Sequence, residues 1–183
     1  MRYRELVAGL KRARKEAARH GVQCALIGGM AVSVWGTPRA TNDVDFLVWH
    51  PDASTLEQFF RTMREVHPRS EHFPTAEGPI AQCVRVVYPG GIHVDWIAPR
   101  YRWQVQMLER APLVLVGGTA IPIIDLVDLI VMKLKAGGIK DDADAANLFQ
   151  TVSGRPDLVQ RLQTTACRLG ADRKLARLMR AKR

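Results

Sequence analysis

The chain has 183 residues, 47% of them hydrophobic and 25% charged, with a formal net charge of +9. That length allows one domain, with at most a small appended bundle, and the composition is that of a soluble globular protein. Apolar runs such as Ile121–Val127 are too short to span a bilayer, and the basic N-terminus lacks the apolar core of a signal peptide. No membrane association is expected, and the cytoplasm is the default location. Cys24, Cys83 and Cys167 are odd in number and widely spaced, which reads as buried thiols and not as a disulfide framework or a zinc site.

Taken in chain order, residues 3–20 carry Leu6, Val7, Leu10, Ala17 and Ala18 at helical spacing and stop at Gly21. Residues 22–27 form an unbroken apolar run suited to a buried strand. Gly28-Gly29 interrupts it, and a short helix is expected over 30–35. Clean alternation over 43–49 predicts a strand, and 53–66 a helix that starts after Pro51-Asp52. The stretch 67–79, rich in Pro, Gly and charge, predicts a loop. Residues 82–88 and 92–98 flank Pro89-Gly90-Gly91 as a hairpin, and 113–116 and 119–124 turn at Gly117-Gly118 as a second. Helices are expected over 125–136, 141–152, 156–169 and 172–181. Strands first and helices last predict an α+β fold: a core over 1–124 with its N-terminal helix, and a helical portion over 125–183 packed on it.

The charge is uneven. Residues 1–20 hold seven basic and two acidic groups, residues 155–183 nine and two, and the stretch between eleven and fourteen. Two basic ends suit a polyanion such as RNA. They equally suit two solvated helices.

Side chains two apart on a strand share a face, so Asp43, Asp45 and Leu47 point one way while Val44, Phe46 and Val48 enter the core. Two neighbouring carboxylates on an apolar strand need a cation, a basic partner or a raised pKa. The strand over 92–98 repeats the arrangement with His93 and Asp95. If the two strands are neighbours, three carboxylates converge, and oxygen-only ligands suit Mg²⁺. A pair of such ions about 4 Å apart stabilises attacking and leaving oxygens in phosphoryl chemistry. Against this, Asp43 also fits a turn after Thr41-Asn42, and Asp95 a lone strand-end acid.

Gly28-Gly29, between a buried strand and a helix, lets backbone amides approach an anion, or is a strand-to-helix turn with no further function. Lys133 lies on the apolar stripe of its helix with Leu126, Leu129 and Ile130. It must therefore snorkel outward or meet an anion, either a triphosphate or the metal-holding carboxylates. Arg39 steadies the acidic cluster, touches phosphate or lies on the surface. In Lys140-Asp141-Asp142-Ala143-Asp144 the acids suit a helix start; Asp142 reads as structural, and Asp141 and Asp144 stay open.

Gly28-Gly29-Met30-Ala31, then Arg39-Ala-Thr41-Asn-Asp43-Val-Asp45, then Val94-Asp95 resembles the nucleotidyltransferase superfamily built on the DNA polymerase beta palm. The later Asp125–Ala136 and Lys140–Asp144 segments are similar to its abortive-infection toxin branch and uncharacterised bacterial relatives. This chain has Gly137-Gly138-Ile139 where that branch often places an arginine, and it is shorter than the better-known toxins.

The resemblance implies that Gly28, Gly29, Arg39, Thr41, Lys133 and Asp141 bind the nucleotide. It implies that Asp43, Asp45 and Asp95 hold Mg²⁺, two ions with Mn²⁺ as substitute, and that Asp95 also acts as base. Asp43, Asp45, Asp95 and Lys133 form the expected catalytic set. The implied activity is Mg-dependent transfer of NMP from NTP, such as ATP, to an acceptor hydroxyl. RNA, a tRNA end included, is one acceptor, and an antitoxin protein is the partner if the chain is the toxin of a pair. The alternative is a catalytically degenerate module that holds nucleotide or RNA; a third is a structural protein with a fortuitous acidic patch.

Overall fold

A computed structural model describes residues 3–74 and 80–180. Helix α1 (Tyr3–Arg19) leads through Gly21, at φ 67°, into β1 (Gln23–Ile27), and α2 follows at once (Gly28–Trp35). Next come β2 (Asp43–Trp49), α3 (Ala53–Val66), β3 (Glu71–Pro74), β4 (Ile80–Tyr88) and β5 (Ile92–Pro99). Helix α4 (Arg102–Glu109) precedes the hairpin β6 (Leu113–Val116) and β7 (Thr119–Pro122). The chain then continues as α5 (Leu126–Ala136), α6 (Ile139–Val152), α7 (Pro156–Arg168) and α8 (Asp172–Arg180).

This is the expected α+β fold. Two compact units divide it: Met1–Met30 with Ala40–Ile124, and Ala31–Arg39 with Asp125–Arg183.

In the first unit, five strands form one mixed sheet in the order β1-β2-β5-β4-β3. The β2–β5 pair is parallel; its neighbours are antiparallel. Alternation sorts the sheet's faces. Val44 and Phe46 stand beside Val94 and Trp96, which stand beside Val86 and Val84, and all are buried. Trp96 stacks on Phe46 at 5.5 Å and meets the edge of Phe59, from α3, at 5.1 Å. Burying each such ring is worth about 1.5–3 kcal/mol. Helix α1 lies close enough over β5 that a Cβ on Gly9 would stand 2.7 Å from Ile92 Cγ2. The opposite face carries Asp43, Asp45, Asp95 and Arg85.

Helix α3 starts as its sequence indicates. The Asp52 carboxylate accepts from the Ser54 and Thr55 amides, at 3.2 and 3.0 Å, and stabilises the first turn.

Two sequence expectations change. Residues 71–74 are strand β3 and not loop, because Glu71–Pro74 finds an open edge on β4, with Phe73 opposite Cys83; residues 75–79 lie outside those described. The thiols are not uniformly buried either. Cys83 is buried, Cys24 intermediate and Cys167 exposed, since α7 turns that position outward.

In the second unit α5 packs against α6 and α7, and α8 against α7. Asp125 caps α5 by accepting from the Val127 amide at 2.9 Å and also pairs with Arg161. Asn147 of α6 clips the 31–39 segment in place. Its side chain accepts from the Thr37 amide at 2.8 Å and donates to the Thr37 carbonyl at 2.9 Å. Among the described residues, no helix is long and apolar enough to cross a membrane.

Candidate active site

Parallel pairing puts Asp45 in register with Asp95 and Asp43 with His93. Partners in register share a face, so the three carboxylates come together on one side of the sheet from segments far apart in the chain. The Thr41 hydroxyl bonds the backbone of Asp43 at both ends, accepting from its amide at 3.4 Å and donating to its carbonyl at 3.3 Å. It thereby fixes the start of β2.

Gly28 opens α2 with φ at +64°, and a Cβ built there would lie 1.8 Å from Asp45 Oδ2. The backbone therefore approaches the carboxylate as only glycine permits. With Gly29 it presents the amide end of the helix beside the acids.

The acids also have a basic partner. Arg85 of β4 stands opposite Asp95, and its Nε and Nη2 donate to Asp95 Oδ1 and Oδ2, both at 2.7 Å. This is the parallel fork that a guanidinium makes with a carboxylate. The same Nη2 is 4.0 Å from Asp43 Oδ2, and His93 Nδ1 is 3.6 Å from Asp43 Oδ1. The Asp95 hydrogen bonds hold the Arg85 pKa above its ordinary value.

Sequence reasoning did not single out Arg85. The signal was a lone cation inside the apolar run Cys83-Val-Arg-Val-Val-Tyr88, which needs an anion once it lies in a sheet.

Three carboxylates on one face, with Asp45 seated against the Gly28 backbone where a Cβ would otherwise stand, form a donor set that fits a hard divalent cation. Among the described residues, no three acidic, His or Cys side chains are grouped to hold a metal as they stand.

The helical unit carries a second charged cluster. Asp144 of α6, 3% exposed at its side chain, accepts from Arg39 Nε at 2.6 Å and Nη2 at 2.9 Å. Lys133 Nζ is 3.0 Å from the Asp144 carboxylate and 2.8 Å from that of Asp141. Burial opposes the charge on Lys133, and its two carboxylate partners outweigh that, so its pKa is raised. Burial likewise opposes the charge on Asp144, and Arg39 and Lys133 outweigh it, so its pKa is lowered. Lys133 thus meets anions of its own unit, and Arg39 is clamped by Asp144. Asp142 is exposed, with its amide closing the first turn of α6 on the Gly138 carbonyl.

An Asp-x-Asp strand beside a third acid in a mixed sheet, with a glycine turn opening the preceding helix, defines the nucleotidyltransferase fold. Over residues 7–165 the chain matches the family described as nucleotidyl transferase of unknown function (DUF2204), and it belongs to that family. It is an enzyme of the nucleotide-transferring class.

Solved structures share the fold. An antigenic nucleotidyltransferase-like protein from Paracoccidioides brasiliensis is 19% identical with a TM-score of 0.55, covering 97% of this chain and 93% of its own. A candidate nucleotidyltransferase from Thermotoga maritima is 17% identical at 0.57, covering 85% and 97%. The lincosamide antibiotic adenylyltransferase LnuA, solved with lincomycin bound, is 14% identical at 0.53, covering 78% and 95%. No curated protein sequence matches the chain.

Proposed function

We propose that the chain transfers NMP from a nucleoside triphosphate to an acceptor hydroxyl, using the acidic face of its sheet. The observation that carries this is the in-register pairing of Asp45 with Asp95 beside the Gly28 turn. Asp43 and Asp45 hold the divalent metal, Mg²⁺ or Mn²⁺, with Asp95 as the third carboxylate. The bound metal supplies charge stabilisation to the phosphoryl oxygens. The Gly28-Gly29 turn is the proposed phosphate-binding element, and Thr41 keeps Asp43 in its place on β2. The acceptor oxygen bonds to the α-phosphorus, the α–β bridging bond breaks, and pyrophosphate leaves. Asp95 takes the acceptor's hydroxyl proton. In the helical unit, Arg39 and Lys133, both paired with Asp144, and Asp141, paired with Lys133, stay the proposed nucleotide-binding residues.

RNA is the acceptor favoured by the basic termini. Exposed Arg173, Lys174, Arg177 and Arg180 of α8 add to that case. A role as the toxin of a pair, opposed by an antitoxin, belongs to the same proposal.

The test is incubation of the purified chain with α-labelled NTPs, Mg²⁺ or Mn²⁺, and total RNA or protein. Labelled product that disappears with Asp45→Asn is expected; no labelled product with any nucleotide or acceptor would refute the proposal.

The Arg85 fork on Asp95 favours one second reading, a module that holds nucleotide without turnover. Thermal stabilisation by Mg-NTP with no labelled product is its signature.

A further inference from the structure

The acidic face holds three carboxylates and one guanidinium, and that guanidinium is not spread evenly among them. Arg85 gives both available donors on one edge to Asp95, at 2.7 Å each, and reaches Asp43 only at 4.0 Å. Asp95 is also the more deeply set partner, with its side chain 10% exposed against 31% for Arg85 and 34% for Asp43. A carboxylate with both oxygens committed to an arginine fork cannot also give a hard cation its oxygens at full strength. The fork is charge-assisted and among the stronger hydrogen-bonded pairings available to a side chain. Arg85 is the more exposed end of the pair, 31% against 10% for Asp95, and the backbone pairing of β4 and β5 does not use its side chain.

From this we infer that Arg85 is a built-in competitor for the third metal ligand: it holds Asp95 until a divalent cation displaces it. The inference rests on the proposed metal-dependent transfer. In the resting protein the guanidinium offsets the mutual repulsion of Asp95 with Asp43 and Asp45. A divalent ion seated on Asp43 and Asp45 brings twice the charge of the arginine to the same face, and Asp95 exchanges one cation for the other. Arg85 is therefore a positioning residue. It sets the concentration of metal at which the acidic face closes.

The experiment is a Mn²⁺ titration of the full chain followed by electron paramagnetic resonance of the unbound ion, with no nucleotide and no turnover. Arg85→Gln removes the competitor and is expected to bind Mn²⁺ at least about tenfold more tightly than the parent, because both charge-assisted hydrogen bonds are taken away from the competing state. The gain should vanish when Asp95→Asn is present as well, so that the double variant binds as Asp95→Asn alone does; a structural effect of Arg85 would not be erased in this way. Arg85→Lys keeps the charge without the fork, and it should fall between. It also carries the test if circular dichroism shows that Arg85→Gln does not fold. Equal or weaker Mn²⁺ binding by the folded Arg85 variants overturns the competitor while leaving the metal-dependent reading intact. Absence of Mn²⁺ binding by parent and variants alike overturns both.

Discussion

Gly28→Ala is expected to remove nucleotidyl transfer and to weaken the fold, because both the new methyl group and the backbone angle work against it. The Cβ would sit 1.8 Å from Asp45 Oδ2, so the carboxylate must leave its place. The φ of +64° adds a strain of about 1–3 kcal/mol for a residue with a Cβ. Urea melts measure the second effect and labelled-product assays the first; a fully active variant would show that the glycine turn has no part in the site.

Asp144 makes a different forecast. Its nearly buried carboxylate answers two cations, so Asp144→Asn should cost about 3–5 kcal/mol at neutral pH. Its pKa lies below the ordinary 3.8. The unfolded chain thus binds the proton more readily, and the stabilisation is complete above that ordinary value and lost as pH falls through the lower, folded one. Urea melts should therefore show a steady gap between parent and variant from about pH 7 to pH 5, narrowing toward pH 3. A gap that widens on acidification would contradict the ion pairs.

Among the elements, the β6–β7 hairpin offers a paired comparison. Leu115 is 76% exposed while Ile121, on the partner strand, is fully buried. Leu115→Lys should shift stability by no more than about 0.5 kcal/mol, whereas Ile121→Ala should cost about 2–5 kcal/mol, both read by denaturant melts.

Elements such as these were legible in the sequence to different depths. Strand β2 and helix α3 follow directly from alternation and from the Asp52 start. Strand β3 is four residues long and makes sense only beside β4, a partner that no local pattern names. Helix α4 carries Gln104, which caps from within by accepting from the Arg100 and Tyr101 amides at 2.9 and 3.0 Å. Nothing in its short run of mixed residues announces a helix. The shared face of Asp43 and Asp45 could be read from their spacing. That Asp95 stands level with Asp45 could not, because register is a property of two strands together. Arg85 was hidden for the same reason, its meaning being set by the residue across from it. Lys133 was legible as a cation on an apolar face, but its partners Asp141 and Asp144 depend on how α6 turns back along α5.

For the whole molecule, the uneven charge gives the forecast about RNA. If the basic C-terminal helix tracks a phosphate backbone, affinity for bulk tRNA in filter binding should fall steeply with salt. Replacing Arg173, Arg177 and Arg180 together by alanine should lower the slope of log K against log salt by roughly one per residue, without sequence preference. An unchanged slope would leave α8 as a solvated helix only.

The parallel marriage of β2 and β5 has a consequence for how the chain comes to be folded. Val44–Leu47 and Val94–Ile97 are strangers along the polymer, joined through α3, β3 and β4. Closing so long a detour is slow, and the like charges at its seam are brought face to face only as it shuts. If the acidic face takes magnesium as proposed, stopped-flow refolding should quicken when millimolar magnesium is added to the buffer, in proportion to how far that seam has already formed at the rate-limiting crest.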